Sequence, residues 1–334
     1  KSMQTVQADL ISGKKVLLRF DIDVPLRQAQ GHGQFEVVDD FRLKAGLPTL
    51  KLCLENATEV ILMGHIGRPN GIDQSLSVAP IYYWFCNQGF EENFKSGKLR
   101  ILENLRFEPG EDGCDADYTK ELASLGDFYI NEAFAAYRPA SSTTILPMLL
   151  PHAAGLHFAS EVEKLLEVRE NPKRPFIAII GGVKIEDKIP VINVLAEKAS
   201  AVLVGGKLAQ IIHEESFNFP HNVFAGHLSQ DGFDISLQTV KAWEPLIKGA
   251  KMIVWNGPVG KVEDSRYSKG TMDIAKIILR SEADVIIGGG DTVGFLQNAG
   301  FLSQFEAKGF VSTGGGAMLK FLTDGTLATI EALK

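Results

Sequence analysis

The chain has 334 residues, 45% of them hydrophobic, and a formal net charge of −7. That length suits two cores, because a single core stops growing near ~250–300 residues. The acidic balance argues against a nucleic-acid surface, and no basic run or aromatic-basic stripe reverses it. No apolar stretch reaches the ~20 residues of a membrane helix, and the opening KSMQTVQADL holds no signal-peptide core, so a cytoplasmic protein without a membrane partner is expected. Cys53, Cys86 and Cys114 lack metal spacing and read as reduced thiols.

Apolar runs at 15–20 (KVLLRF), 59–63 (EVILM), 99–102 (LRIL) and 127–130 (DFYI) read as strands separated by helical stretches, the pattern of a parallel sheet wrapped by helices. The first is followed by Asp21, Asp23 and Pro25, the second by His65, Arg68 and Pro69, the third by Arg106, the fourth by Asn131 and Arg138. Arg42 opens a helical pattern in DDFRLKAGLPTL. Seven of the eleven arginines precede residue 156. Arginines at the carboxyl ends of several parallel strands converge, and guanidinium forks suit carboxylate and phosphate oxygens, so a small phosphorylated acid is the expected ligand. Arg19 and Arg27 read as ordinary surface charges.

The stretch 155–175 reads as one interdomain helix, with Ser160 and Glu163 in capping-box spacing and Asn171-Pro172 as its stop. Strand patterns resume at 176–180, 201–204, 252–255, 284–287 and 309–311, and four of the five end in glycine-containing turns. In GGVKIEDKI, Lys184 and Lys188 fall four apart, which on a helix N-terminus sets both ammonium groups on one face. WNGPVGKVED is a tight turn fixed by Pro258, with Glu263 as an acceptor for ribose hydroxyls or as a plain surface acid. Asp291 suits either a helix N-cap or a Mg²⁺ ligand beside phosphates. ADVIIGGGDTVGFL and GFVSTGGGAMLKFL each run from a strand through glycines into a helical pattern, which presents bare amides to anions. Neither G-x-x-x-x-G-K-[ST] nor G-x-G-x-x-G occurs, so the usual nucleotide fingerprints are absent.

RFDIDVP (19–25), GHIGRP (64–69), LENLRF (102–107), NEAF (131–134), GGVKIEDKI (181–189), WNGPVG (255–260), GGGDT (288–292) and STGGGA (312–317) together make the chain resemble the phosphoglycerate kinases over nearly its whole length. The resemblance implies two doubly wound α/β domains, Rossmann-like parallel sheets facing a cleft and joined by a helix. The expected domains are 1–155 for phosphoglycerate, a helix at 156–175, 176–311 for Mg–nucleotide, and 312–334 returning to the first. It also implies a monomer that closes about a hinge and carries the acyl phosphate of 1,3-bisphosphoglycerate to ADP, giving 3-phosphoglycerate and ATP.

Carried over by position, Asp21, Asp23, Arg42, His65, Arg68, Arg106 and Arg138 would hold phosphoglycerate. The nucleotide would meet Gly182, Lys188, Gly205, Asn256, Pro258, Glu263, Gly289, Gly290, Asp291 and Thr292, with Asp291 also holding Mg²⁺. Arg42, Lys184 and the amides of Gly314, Gly315 and Gly316 would serve the transferred group. The chain departs from the family pattern at Asp23, where Asn is usual, at Lys207, at Met318 and Lys320, and in the absence of Gly-Pro from 234–239. The stretches near 70–98 and 207–235 are short for the family. A ligand-binding protein without turnover stays open beside the kinase, as does a dinucleotide-dependent oxidoreductase, which the missing fingerprint disfavours.

Overall fold

A computed structural model describes residues 1–31 and 33–334. The chain forms two compact units: Lys1–Val162 with Thr326–Lys334, and Glu163–Gly325.

In the first unit, β1 (Lys15–Phe20), β4 (Glu59–Met63), β5 (Leu99–Ile101), β6 (Phe128–Glu132) and β7 (His152–Ala154) form one parallel sheet in the order β5-β4-β1-β6-β7. A small antiparallel hairpin, β2 (Leu26–Gln28) with β3 (Phe35–Val37), follows β1. The second unit holds β8 (Phe176–Ile180), β9 (Ala201–Val204), β10 (Val223–Ala225), β11 (Met252–Asn256), β12 (Asp284–Gly288) and β13 (Gly309–Val311), all parallel, in the order β10-β9-β8-β11-β12-β13. Central strands are buried along their whole length because helices cover both faces: β6, β8 and β11 are buried at every residue. Each sheet grows outward from its middle in both directions, which is the doubly wound arrangement. The hairpin and the three-residue strands β7 and β10 were not expected, since so few residues carry no readable period.

The helix Leu156–Glu170 starts without the expected capping box. Ser160 lies inside it, its hydroxyl donating back to the Leu156 carbonyl at 3.0 Å. The cap comes from distant residues. The Leu156 N–H donates to Thr49 Oγ1 at 2.9 Å, the His157 N–H to Glu132 Oε2 at 3.2 Å and the Phe158 N–H to Glu132 Oε1 at 2.7 Å. Gly155 leaves room for that carboxylate, which a Cβ would meet at 2.3 Å.

The division between units falls within this helix, at Val162/Glu163, and not at its ends. Of the segment 312–334 expected to return to the first domain, only Thr326–Lys334 belongs to the first unit. Helix Gly315–Asp324 stays in the second because it buries Ala317, Met318, Leu319, Phe321 and Leu322 there, and it ends at Gly325 in the left-handed region.

Candidate functional site

In the first unit the chain turns outward in opposite directions from β1 and β6, which opens a crevice beyond their carboxyl ends. A cavity of about 270 Å³ lies there, lined by Arg19, Asp23, His65, Arg68, Arg106 and Arg138 together with Gly67, Glu111, Thr143 and residues of the loop after β6. Arg68 and Arg138 are exposed, and among the described residues neither guanidinium has a protein partner. Arg106 is braced by the Gly67 carbonyl at 2.7 Å and Asp112 at 3.2 Å. Asp23 Oδ1 accepts the Gly67 N–H at 2.9 Å, and its Oδ2 lies 3.5 Å from His65 Nε2. Burial raises the Asp23 carboxyl, but the His65 and Gly67 donors outweigh that and hold it at about 2. Asp21 and Arg42 do not line this cavity. They pair with each other, Arg42 Nε lying 3.7 Å from Asp21 Oδ2, and Arg42 Nη1 donates to the Asp23 carbonyl at 2.9 Å.

Arg19 was expected at the surface and is 2% exposed. It sits near the end of β1 among buried neighbours, facing Met63 and Asn131 in register. An arginine set between Leu18 and Phe20 inside a strand of large apolar residues was the available signal. Arg27 is exposed, in an ion pair with Glu36 across the hairpin at 2.6 Å.

In the second unit the same divergence occurs between β8 and β11. The Gly181 N–H donates to the Asn256 carbonyl at 2.9 Å and the Gly182 N–H to the Pro258 carbonyl at 2.9 Å, so the two turns touch through backbone. A Cβ on Gly181 would lie 2.2 Å from the Pro258 oxygen, and Gly182 and Gly257 have φ of 99° and 97°. Glycine is required on steric grounds at these turns. A cavity of about 310 Å³ opens here, lined by Gly182, Pro258, Glu263 and Asp291, by Lys207, where the chain departs from the family pattern, and by the unexpected Val183, Leu228, Phe233 and Lys261, among others. Phe233 follows Gly232 in a loop with no periodic pattern, so its sequence carried no signal.

Lys184 and Lys188 do not share a helix face. The helix begins only at Ile189, with Pro190 in its first turn. An earlier start would place that proline in the interior, where it lacks an N–H and clashes with the preceding turn. Lys184 is exposed, whereas Lys188 is buried and its ammonium donates to the Gly181 carbonyl. Burial lowers Lys188 to about 8; Lys184 adds to this, and Asp291 and Asp187 oppose it.

Strands β12 and β13 are parallel neighbours, and their glycine turns bring two helix starts together. A Cβ on Gly315 would lie 2.5 Å from Gly289 Cα. Gly289, at φ 104°, is the N-cap of helix Gly290–Asn298, so Asp291 is an exposed carboxylate in the first turn rather than the cap. Gly290 and Gly316 are exposed at their helix starts. Thr292 and Asn256 are buried, with the Thr292 hydroxyl accepting the Gly257 N–H at 2.9 Å, and Gly205 packs against Val259. These three support the turns and do not line the cavity.

The family model described as "Phosphoglycerate kinase" matches residues 6–218 and 222–325. The chain belongs to the phosphoglycerate kinase family. It is accordingly a phosphotransferase with a Rossmann-like two-domain fold. A phosphoglycerate kinase of Roseiflexus castenholzii is 33% identical over 390 positions, covering 96% of each chain. One of Herpetosiphon aurantiacus is 34% identical over 396 positions, covering 99% of this chain and 98% of its own. Both alignments are longer than this chain's 334 residues, so those relatives carry residues without a counterpart here. The structure of the Coxiella burnetii phosphoglycerate kinase superposes with a TM-score of 0.83 at 26% identity, covering 99% of this chain and 98% of that one. That of the Pyrococcus horikoshii OT3 phosphoglycerate kinase also reaches 0.83, at 24% identity, a likeness of fold.

Proposed function

We propose that the chain catalyses reversible transfer of the acyl phosphate of 1,3-bisphosphoglycerate to Mg-ADP. The observation that carries this reading is the chemical contrast between the two switch-point cavities, arginine-rich in the first unit and glycine-lined in the second. Arg68, Arg106 and Arg138, with His65, hold phosphoglycerate beside the Asp23 carboxylate, and Arg42 orients Asp21 and the Asp23 backbone. The glycine turns at Gly182, Gly289 and Gly315 offer amides to phosphate oxygens, Lys184 meets the phosphoryl group in flight, and Glu263 takes the ribose.

Magnesium binds nucleotide sites through one or two carboxylates plus phosphates, and Asp291, exposed in the first turn of a helix, fits that demand. Bound there, the ion would neutralise phosphate oxygens. No general base is required, because a carboxylate acceptor with an ordinary pKa of ~4 is already ionised at neutral pH. Positioning and charge neutralisation carry phosphoryl transfer. No helix among the described residues is long and apolar enough to cross a membrane, and Cys53, Cys86 and Cys114 are free thiols, which supports work in a reducing compartment.

The test is Mg²⁺-dependent ADP formation from ATP with and without 3-phosphoglycerate, the acyl-phosphate product being consumed by a coupling enzyme. Acceptor-dependent turnover is expected. Binding of both ligands without turnover would instead establish a binding protein on a kinase fold.

A further inference from the structure

Arg19 ends in three contacts inside the first unit. Its Nε donates to Ser142 Oγ at 2.8 Å, Nη1 to the Phe20 carbonyl at 3.1 Å, and Nη2 meets His65 Nδ1 at 2.8 Å. Ser142 is itself fixed by Glu111, through its N–H and its hydroxyl, each at 2.7 Å. A hydrogen-bonded chain therefore runs from the buried Glu111 carboxylate through Ser142 and Arg19 to His65, which lines the cavity.

A guanidinium has donors and no acceptor, so at 2.8 Å the His65 Nδ1 must be the acceptor. The ring proton is left on Nε2, pointing at Asp23 Oδ2 3.5 Å away, a long contact that leaves the donor available to an incoming ligand oxygen. Protonating Nδ1 would set N–H against N–H and cation against cation. We propose that Arg19 is a positioning residue for the phosphoglycerate site: it fixes His65 as the neutral Nε2–H tautomer, so that His65 offers the ligand a hydrogen-bond donor and not a positive charge. The charged groups around the ring agree. Burial lowers His65 to about 4, and Arg19 and Arg106 add to that against the opposite pull of Asp23. The ligand assignment rests on the function proposed above, whereas the tautomer does not.

Long-range ¹H–¹⁵N spectra of the full chain, with His65 assigned by the loss of its signals in His65→Gln, test the tautomer in the unaltered protein. A pyridine-type Nδ1 and a pyrrole-type Nε2, unchanged from about pH 5.5 to 8.5, are expected. An Nδ1–H tautomer, or a titration midpoint within that range, overturns the proposal. Arg19→Gln supplies an amide oxygen that can accept from Nδ1, so the His65 midpoint is expected to rise by about two pH units or more, into the observed range. Arg19→Lys keeps a donor-only group and should keep the Nε2–H tautomer.

Relative to the unaltered enzyme at the same pH, the KM of Arg19→Gln for phosphoglycerate should fall by about threefold or more between pH 8 and 6, as the ring gains charge. A ratio that does not vary with pH, alongside the expected spectra, would overturn the link to the ligand. Absence of acceptor-dependent turnover in every form would count against the proposed function, and the spectra would still decide the tautomer.

Discussion

Asp23 sits among arginines and keeps its charge at any working pH, because the His65 and Gly67 donors outweigh its burial. Each anionic ligand oxygen entering the cavity meets that charge. Asp23→Asn is expected to lower KM for phosphoglycerate by about threefold to tenfold, the scale of one partly screened charge repulsion. A KM that rose would show that the carboxylate acts as an acceptor for the ligand.

Lys188 supplies a second prediction at this scale. Its folded value, about 8, lies below the ordinary 10.5, so the unfolded chain binds the extra proton between those values. Its contribution to stability therefore rises as pH increases through that window, and the burial penalty is fully present below about pH 8. An anionic nucleotide bound beside it, as proposed, would restore the charge. ATP binding at pH 8.5 is expected to take up protons, measured by calorimetry in two buffers of different ionisation enthalpy, and Lys188→Met should abolish the uptake.

Among the elements, the helix Leu156–Glu170 shows how a local reading is overruled. Ser160 and Glu163 have the right spacing for a cap, yet the buried Glu132 carboxylate and Thr49 reach the helix start earlier and satisfy the N–H groups of 156–158. A carboxylate at a helix N-terminus is favoured both by the free amides and by the helix dipole. Glu132→Ala leaves the His157 and Phe158 amides without their acceptor and is expected to cost about 2–4 kcal/mol in urea denaturation. A loss below about 0.5 kcal/mol would mean that another group caps the helix. The lysine pair failed for a different reason, and a legible one. Pro190 marks where that helix begins, so residues 184–188 precede it and share no helix face.

For the whole molecule, arginine and glycine chemistry are segregated: each cavity is lined entirely by residues of one compact unit. Substitutions without shared partners act independently. Arg68→Ala is thus expected to raise KM for phosphoglycerate and leave the Kd of ATP unchanged. Lys184→Ala should lower turnover by about 10²–10³, the scale of losing one preorganised charge, while phosphoglycerate still binds. Steady-state kinetics with separate binding titrations check both. An Arg68 variant that weakened both ligands equally would contradict the segregation.

The sequence by itself determined the class of fold, nine of the strands to within about two residues, and the glycine turns that end the strands of the second unit. Apolar runs, glycine and proline act over a few neighbouring residues, so their consequences are written locally. Tertiary structure alone decided which groups meet across distance: Arg19 with His65, Glu132 with the start of a helix 24 residues on, and Gly315 against Gly289. It also decided that Asp21 and Arg42 do not line the first cavity and that Phe233 lines the other one. Those outcomes depend on which strand lies beside which, and no local propensity specifies that order.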